Sequence, residues 1–223
     1  MIFDVDLAYE AMYKSATLPG AKNLMRPDND DYMSKGYVPL REQYDNSVSH
    51  ALEYYIADFA LSRFAEALGK KKDAEMFYKR SLGYKHYYSK EFGTFRPILP
   101  DGTFYSPFNP RQGENFEPNP GFHEGSAWNY SFYVPHDVYG LAKLMGGKNP
   151  FIKKLQMVFD EGLYDPANEP DIAYAHLSLI LEERNGARRK KHNGCWISTL
   201  QRSRMVFPVM MIQGQCLHGL FLI

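Results

Sequence analysis

Glu124 stands near the start of FHEGSAWNYSFYVPHD, residues 122 to 137, with two small residues after it and then Trp128, Tyr130, Phe132 and Tyr133. A carboxyl group among aromatic faces loses solvation. Its neutral form is favoured, and it can then hand a proton to a leaving oxygen. Aromatic planes near a carboxyl also suit a sugar ring. The plainer alternative is that Glu124 caps or salt-bridges a helix end while the rings fill a core.

A second group lies in DPANEPDIAY, residues 165 to 174, where Asn168, Glu169 and Asp171 surround Pro170. Amide and carboxylate oxygens on a proline-fixed loop are hard ligands of the kind calcium takes, although the regular spacing of an EF-hand is missing. A solvated acidic turn with Asp171 as an N-cap fits the same residues. A third group is Glu53 with Asp58, on an otherwise aromatic and aliphatic stretch. Glu53 either lines a polar pocket or pairs with a cation such as Arg63 on the surface. His50, His123 and His136 have no metal-binding spacing and read as core or rim histidines.

These residues need a scaffold, and the apolar periodicity supplies a helical one. HALEYYIADFALSRFAEAL places Leu52, Tyr55, Ile56, Phe59, Phe64 and Leu68 at helical spacing, with Gly69 as the stop. KKDAEMFYKRSLGYKHYYSKEF repeats the pattern and is expected to stay helical to near Gly93, which makes an antiparallel helical hairpin with the first. Shorter helices are expected over residues 4 to 17, 136 to 146, 151 to 160 and 171 to 177. Residues 95 to 122, rich in Pro, Gly and aromatics, read as a long ordered loop at the rim.

The chain of 223 residues has zero formal net charge, which is not the footprint of a nucleic-acid binder. That balance conceals two unlike parts. Residues 178 to 223 hold 7 Lys and Arg against 2 Asp and Glu, and all 17 tyrosines lie before them. Both cysteines, Cys195 and Cys216, fall in this tail at a spacing that matches no metal or redox pattern. The start, MIFDVDLAYE, has no signal-peptide pattern, and no apolar run is long enough to span a membrane. The compartment of this chain is therefore unassigned.

GYVP, SVSHALEYYIADF, ALGKKKDAEMFYKRS, HEGSAWNYSFYVPHDVYGLAKLMGG and NEPDIAYAHL resemble, in order and spacing, consecutive motifs of the glycoside hydrolase family 92 α-mannosidases. The resemblance covers residues 1 to 177. It implies an all-α fold, part of an (α/α)6 toroid, and calcium-dependent, inverting removal of terminal α-mannose from N-glycans or mannans. It also implies Glu124 as the catalytic proton donor and Asn168 and Glu169 as ligands of Ca2+. Glu53, Trp128 and Asp137 match positions near the substrate. Ser126 stands where many relatives have Asn, which removes one expected hydrogen bond. The partners implied are α-mannoside glycans, and the complete protein is expected in the periplasm or at the cell surface.

Inversion needs a second carboxylate on the far side of the sugar. The family resemblance puts it in a downstream GNDD-type motif, which does not appear after Leu177. The tail encodes it in another frame. Met and Trp have single codons, so Met205-Val206, read one base earlier, forces glycine, and Met210-Met211, Met211-Ile212 and Trp196-Ile197 each force aspartate. With permitted choices elsewhere, residues 204 to 223 become DGIPGNDDTGTMSAWLVFD. We therefore divide the chain into residues 1 to 177, a fragment of the catalytic domain, and residues 178 to 223, shifted coding sequence expected to be disordered. On this reading the isolated chain is inactive. Two rivals stand beside it: a catalytically dead mannose-binding module, and a different toroidal enzyme such as a glucoamylase-like hydrolase or a lyase.

Overall fold

The computed structural model describes residues 4–42, 45–113 and 119–182. It is mostly helical, with one small antiparallel hairpin. Helix α1 (Val5–Thr17) starts at Asp4, whose carboxylate accepts the Leu7 N–H at 3.0 Å and satisfies one of the orphan donors of the first turn. Helix α2 (Asn29–Lys35) has too few apolar residues for its period to be read. It ends on Gly36, whose φ of 81° reverses the chain at a conformation that glycine adopts freely.

Helix α3 (Ser47–Ala67) is the central element, with Val48, Ala51, Leu52 and Tyr55 fully buried along it. Helix α4 (Lys71–Ser81) returns against it across a link turned at Gly69, so the expected helical hairpin is present. The second helix is shorter than its periodicity suggests. At Gly83 a Cβ would come within 2.6 Å of the Gly36 carbonyl oxygen and 2.5 Å of the Tyr55 ring. This close approach tightens the chain into a 3₁₀ segment, Leu82–Tyr87, and the Tyr55 hydroxyl donates to the Gly36 oxygen at 2.6 Å. The expected helix then gives way to strand β1 (Tyr88–Ser89), paired with β2 (Thr94–Phe95) in the register Tyr88 to Phe95. An all-α description therefore overlooks this hairpin.

Residues 96 to 113 are irregular but anchored. The Arg96 guanidinium lies 5.0 Å from the Phe92 ring centre and 5.6 Å from that of Phe108, and its Nε donates to the Tyr105 carbonyl at 2.8 Å. Beyond them come α5 (Ala127–Tyr130), α6 (Val138–Leu144), α7 (Lys148–Asp160) and α8 (Tyr174–Glu182). Helix α8 begins later than expected and crosses the boundary expected at Leu177. From Glu183 onward the tail, with Cys195, Cys216 and the segment expected to be shifted coding sequence, lies outside the described residues.

Two apolar clusters hold these elements. The larger joins α3, the hairpin and α5 to α8 through Tyr55, Tyr87, Phe95, Phe132, Phe151 and Tyr174. Phe132 meets Phe151 and Tyr174 edge-on, with ring centres 5.0 and 5.1 Å apart. The smaller cluster packs α1 against the α3–α4 hairpin around Tyr9, Leu61 and Phe77. Between them sits a buried ionic group. Asp58 accepts from Arg26 Nη1 at 2.8 Å and from the Tyr32 hydroxyl at 2.9 Å, with Arg80 Nε also at 2.8 Å but off the hydrogen-bonding direction. Asp58 is therefore a core residue. Among the described residues no helix is long and apolar enough to cross a membrane.

Candidate active site

Three separated segments bring Glu53, Glu124, Asn168 and Glu169 to one open pocket of about 330 Å³, together with Ser49, His50, His123 and Tyr130. Glu53 comes from the first half of α3, where positions 49, 50 and 53 fall on one helical face. Glu124 comes from the loop before α5. Asn168 and Glu169 come from the turn before α8, where residues 169–171 form a 3₁₀ segment fixed by Pro170.

The Glu124 loop is held in an unusual conformation. Glu124 has φ of 50°, the left-handed region, and is the one non-glycine residue there among those described. Next to it, Gly125 allows a close approach: a Cβ would meet the Asn168 side-chain nitrogen at 2.9 Å and the Asn129 side-chain oxygen at 3.1 Å. That space lets the Asn168 amide donate to the Glu124 carbonyl at 3.1 Å. Ser126 and Asn129 then form a capping box that starts α5, with Asn129 Oδ1 accepting from the Ser126 N–H at 2.8 Å and from its hydroxyl at 2.9 Å.

Asn129 ties this loop to the other wall of the pocket. Its amide donates to Asp171 Oδ2 at 2.7 Å, and the Asp165 N–H donates to the same oxygen at 2.7 Å. Asp171 is fully buried, and its Oδ1 has no partner. Burial pushes its carboxyl up to about 8, against hydrogen bonds that pull it down. The sequence reading of Asp171 as an N-cap is replaced: it buttresses both loops from below.

Glu53 borders the pocket; Arg63 pairs with Glu66 instead. Desolvation raises the Glu53 carboxyl above its usual range and the charge of Glu169 adds to that. Two acidic side chains thus face one space and repel. The Glu124 environment differs from the sequence expectation. Its side chain is 65% exposed, with His123 Nε2 at 3.5 Å, because Trp128, Tyr130 and Phe132 turn into the core and leave it at the rim. The aromatic run builds the floor beneath this acid.

Trp128 and Asp137 are placed elsewhere. Trp128 is buried in α5, where its carbonyl accepts the Tyr174 hydroxyl at 2.9 Å. Asp137 caps α6, accepting from the Gly140 N–H at 2.9 Å and from the Tyr84 hydroxyl at 2.8 Å. Among the described residues no group of three His, Cys, Asp or Glu gathers as a metal cage. The pocket instead offers an amide and carboxylates, oxygen donors from adjacent residues on one wall. Such a set fits a hard cation whose remaining ligands come from water and a bound hydroxyl compound. Sequence reasoning did not single out Ser49 or His50 for the site, although their spacing from Glu53 is the signal that would have done so.

Residues 2–192 match the model of the glycosyl hydrolase family 92 catalytic domain. An uncharacterized secreted glycosidase of Arthroderma benhamiae is 26% identical over 200 residues, covering 75% of this chain and 25% of its own length. The structure of the family GH92 α-mannosidase BT3965 from Bacteroides thetaiotaomicron, solved with mannoimidazole, superposes with a TM-score of 0.71 at 31% identity. The match covers 81% of this chain and 25% of that one. The GH92 inverting mannosidase BT2199 of the same organism gives a TM-score of 0.70 at 27% identity, covering 80% and 27%. The chain spans about a quarter of the length of these relatives. It belongs to glycosyl hydrolase family 92 and carries part of that family's catalytic domain.

Proposed function

We propose that the chain is a segment of the (α/α)6 catalytic domain of a calcium-dependent, inverting α-mannosidase that removes terminal α-mannose from N-glycans or mannans. The single observation that carries this reading is the convergence of Glu53, Glu124, Asn168 and Glu169 on one pocket. Resemblance to the mannosidase structures supports an α-mannoside as its substrate class.

In this reading Glu124, exposed at the pocket rim, donates the proton to the departing glycosidic oxygen. Proton donation at that oxygen lets the C1–O bond break while positive charge spreads over C1 and the ring oxygen. Asn168 donates its amide N–H to the Glu124 carbonyl, and its own side-chain oxygen would be the atom that ligates a cation. Asn168 and Glu169 would hold calcium, and a positive charge there relieves the repulsion between Glu169 and Glu53. Bound calcium would supply two coordination positions for sugar hydroxyls and favour a flattened ring. Glu53 at the pocket wall accepts a hydroxyl hydrogen bond, whereas Trp128 and Asp137 do not line the pocket.

The water-activating carboxylate is not among these groups. We place the base in the GNDD motif that the tail encodes one base out of register, and so propose that the 223-residue chain itself is inactive. Full turnover of an α-mannobiose by the purified chain would contradict that. Resequencing the coding DNA from codon 160 past the stop tests the frame: one base gained or lost near codon 178 is expected, and an unbroken frame with independent support overturns it. The secreted relative supports export of the complete protein.

A further inference from the structure

We propose that His50, held by Asp28, is a sugar-hydroxyl-binding residue of this pocket, a role that rests on the mannoside reading above. His50 lies in the first turn of α3 and its side chain is 45% exposed at the pocket wall. Its Nδ1 is 3.0 Å from Asp28 Oδ2. Against a carboxylate the proton sits on Nδ1, which leaves Nε2 as the ring's remaining polar atom.

The ring is fixed from behind more firmly than a surface histidine needs. Asp28 precedes α2 but makes no side-chain capping bond to its own helix. It lies against His50 instead. The His50 ring stacks on Tyr54 with centres 6.3 Å apart and planes at 27°. Tyr54 in turn lies over the Arg26 guanidinium, 4.9 Å from its ring centre, and Arg26 is anchored on buried Asp58. An imidazole oriented in this way loses little entropy when it binds a ligand.

Two of the pocket's hydroxyls already hold the His123 backbone. Ser49 Oγ accepts from the His123 N–H at 2.9 Å, and the Tyr130 hydroxyl donates to the His123 carbonyl at 2.7 Å. His50 Nε2 is therefore a hydrogen-bonding atom presented beside the carboxylates. It suits one hydroxyl of a mannoside, and the carboxylates and any cation take others.

The test uses the 223-residue chain with calcium, titrated calorimetrically with methyl α-mannoside and its 2-, 3-, 4- and 6-monodeoxy analogues. The unaltered chain should bind one analogue about tenfold more weakly than the parent, the loss expected for one hydrogen bond. His50→Ala should weaken the parent by a similar factor and bind it and that analogue alike. Asp28→Asn, which keeps the ring but loosens its hold, should fall between. A preference that survives His50→Ala undiminished overturns the role of His50 alone. No binding by the unaltered chain overturns the mannoside reading and this role together. Should His50→Ala not fold, as judged by circular dichroism, an undiminished preference in both His50→Gln and Asp28→Asn is the overturning result.

Discussion

The side-chain amide of Asn168 donates to the backbone carbonyl of Glu124 at 3.1 Å, across the close approach that Gly125 permits. One bond thus joins the proposed proton donor to the proposed metal ligand. Asn168→Ala should cost about 1 kcal/mol of stability, because the bond is partly exposed. It should also abolish any calcium-induced rise in melting temperature, measured by differential scanning fluorimetry with and without chelator. An undiminished calcium response in the variant would remove Asn168 from the ligand set.

Glu124 occupies left-handed backbone space that a Cβ makes costly. Glu124→Gly should therefore be more stable than Glu124→Ala by about 0.5–1 kcal/mol in urea unfolding, while both variants lose the proton donor. Equal stability of the two would show that the loop relaxes and that no strain is held at the acid.

Asp58 joins two guanidinium groups and the Tyr32 hydroxyl inside the protein. Removing the carboxylate leaves buried Arg26 and partly buried Arg80 uncompensated, at a cost of about 3–5 kcal/mol. Asp58→Ala is expected to unfold the chain or lower its urea midpoint steeply. Paired replacement, Asp58→Leu with Arg26→Met, should restore part of that loss. A mild effect of Asp58→Ala alone would mean that solvent reaches the group.

His136 sits between Phe59 and Tyr84, its Nε2 bonded to the Ser81 carbonyl at 2.9 Å and its Nδ1 without a partner. Burial lowers its pKa below the ordinary value of 6.5. Between the folded and unfolded values the unfolded chain binds the extra proton, so stability falls as pH drops below about 6.5 and levels off beneath the folded value. His136→Gln should flatten that slope in thermal melts between pH 7.5 and pH 5. An unchanged slope would assign it to other groups.

Long periodic segments were the most legible part of the sequence. The α3–α4 hairpin follows from apolar spacing, and only its extension past Ser81 fails, because a contact between Gly83 and Gly36 is invisible to a pattern confined to one helix. Helix α2 and the β1–β2 hairpin are too short to show a period. At the site, residue types on motifs pointed to Glu124, Asn168 and Glu169, whereas the exposure of Glu124 depends on where its aromatic neighbours turn. Asp171 looked like a surface cap because its partners, Asn129 and the Asp165 N–H, come from loops that meet only in the folded chain.

Calorimetric titration of methyl α-mannoside into the 223-residue chain, with calcium and then with chelator, tests the central claim most directly. The account predicts binding that requires calcium, that is lost in Asn168→Ala, and that proceeds without hydrolysis of an α-mannobiose. Binding that ignores the chelator, or no binding by a chain shown to be folded, would contradict it.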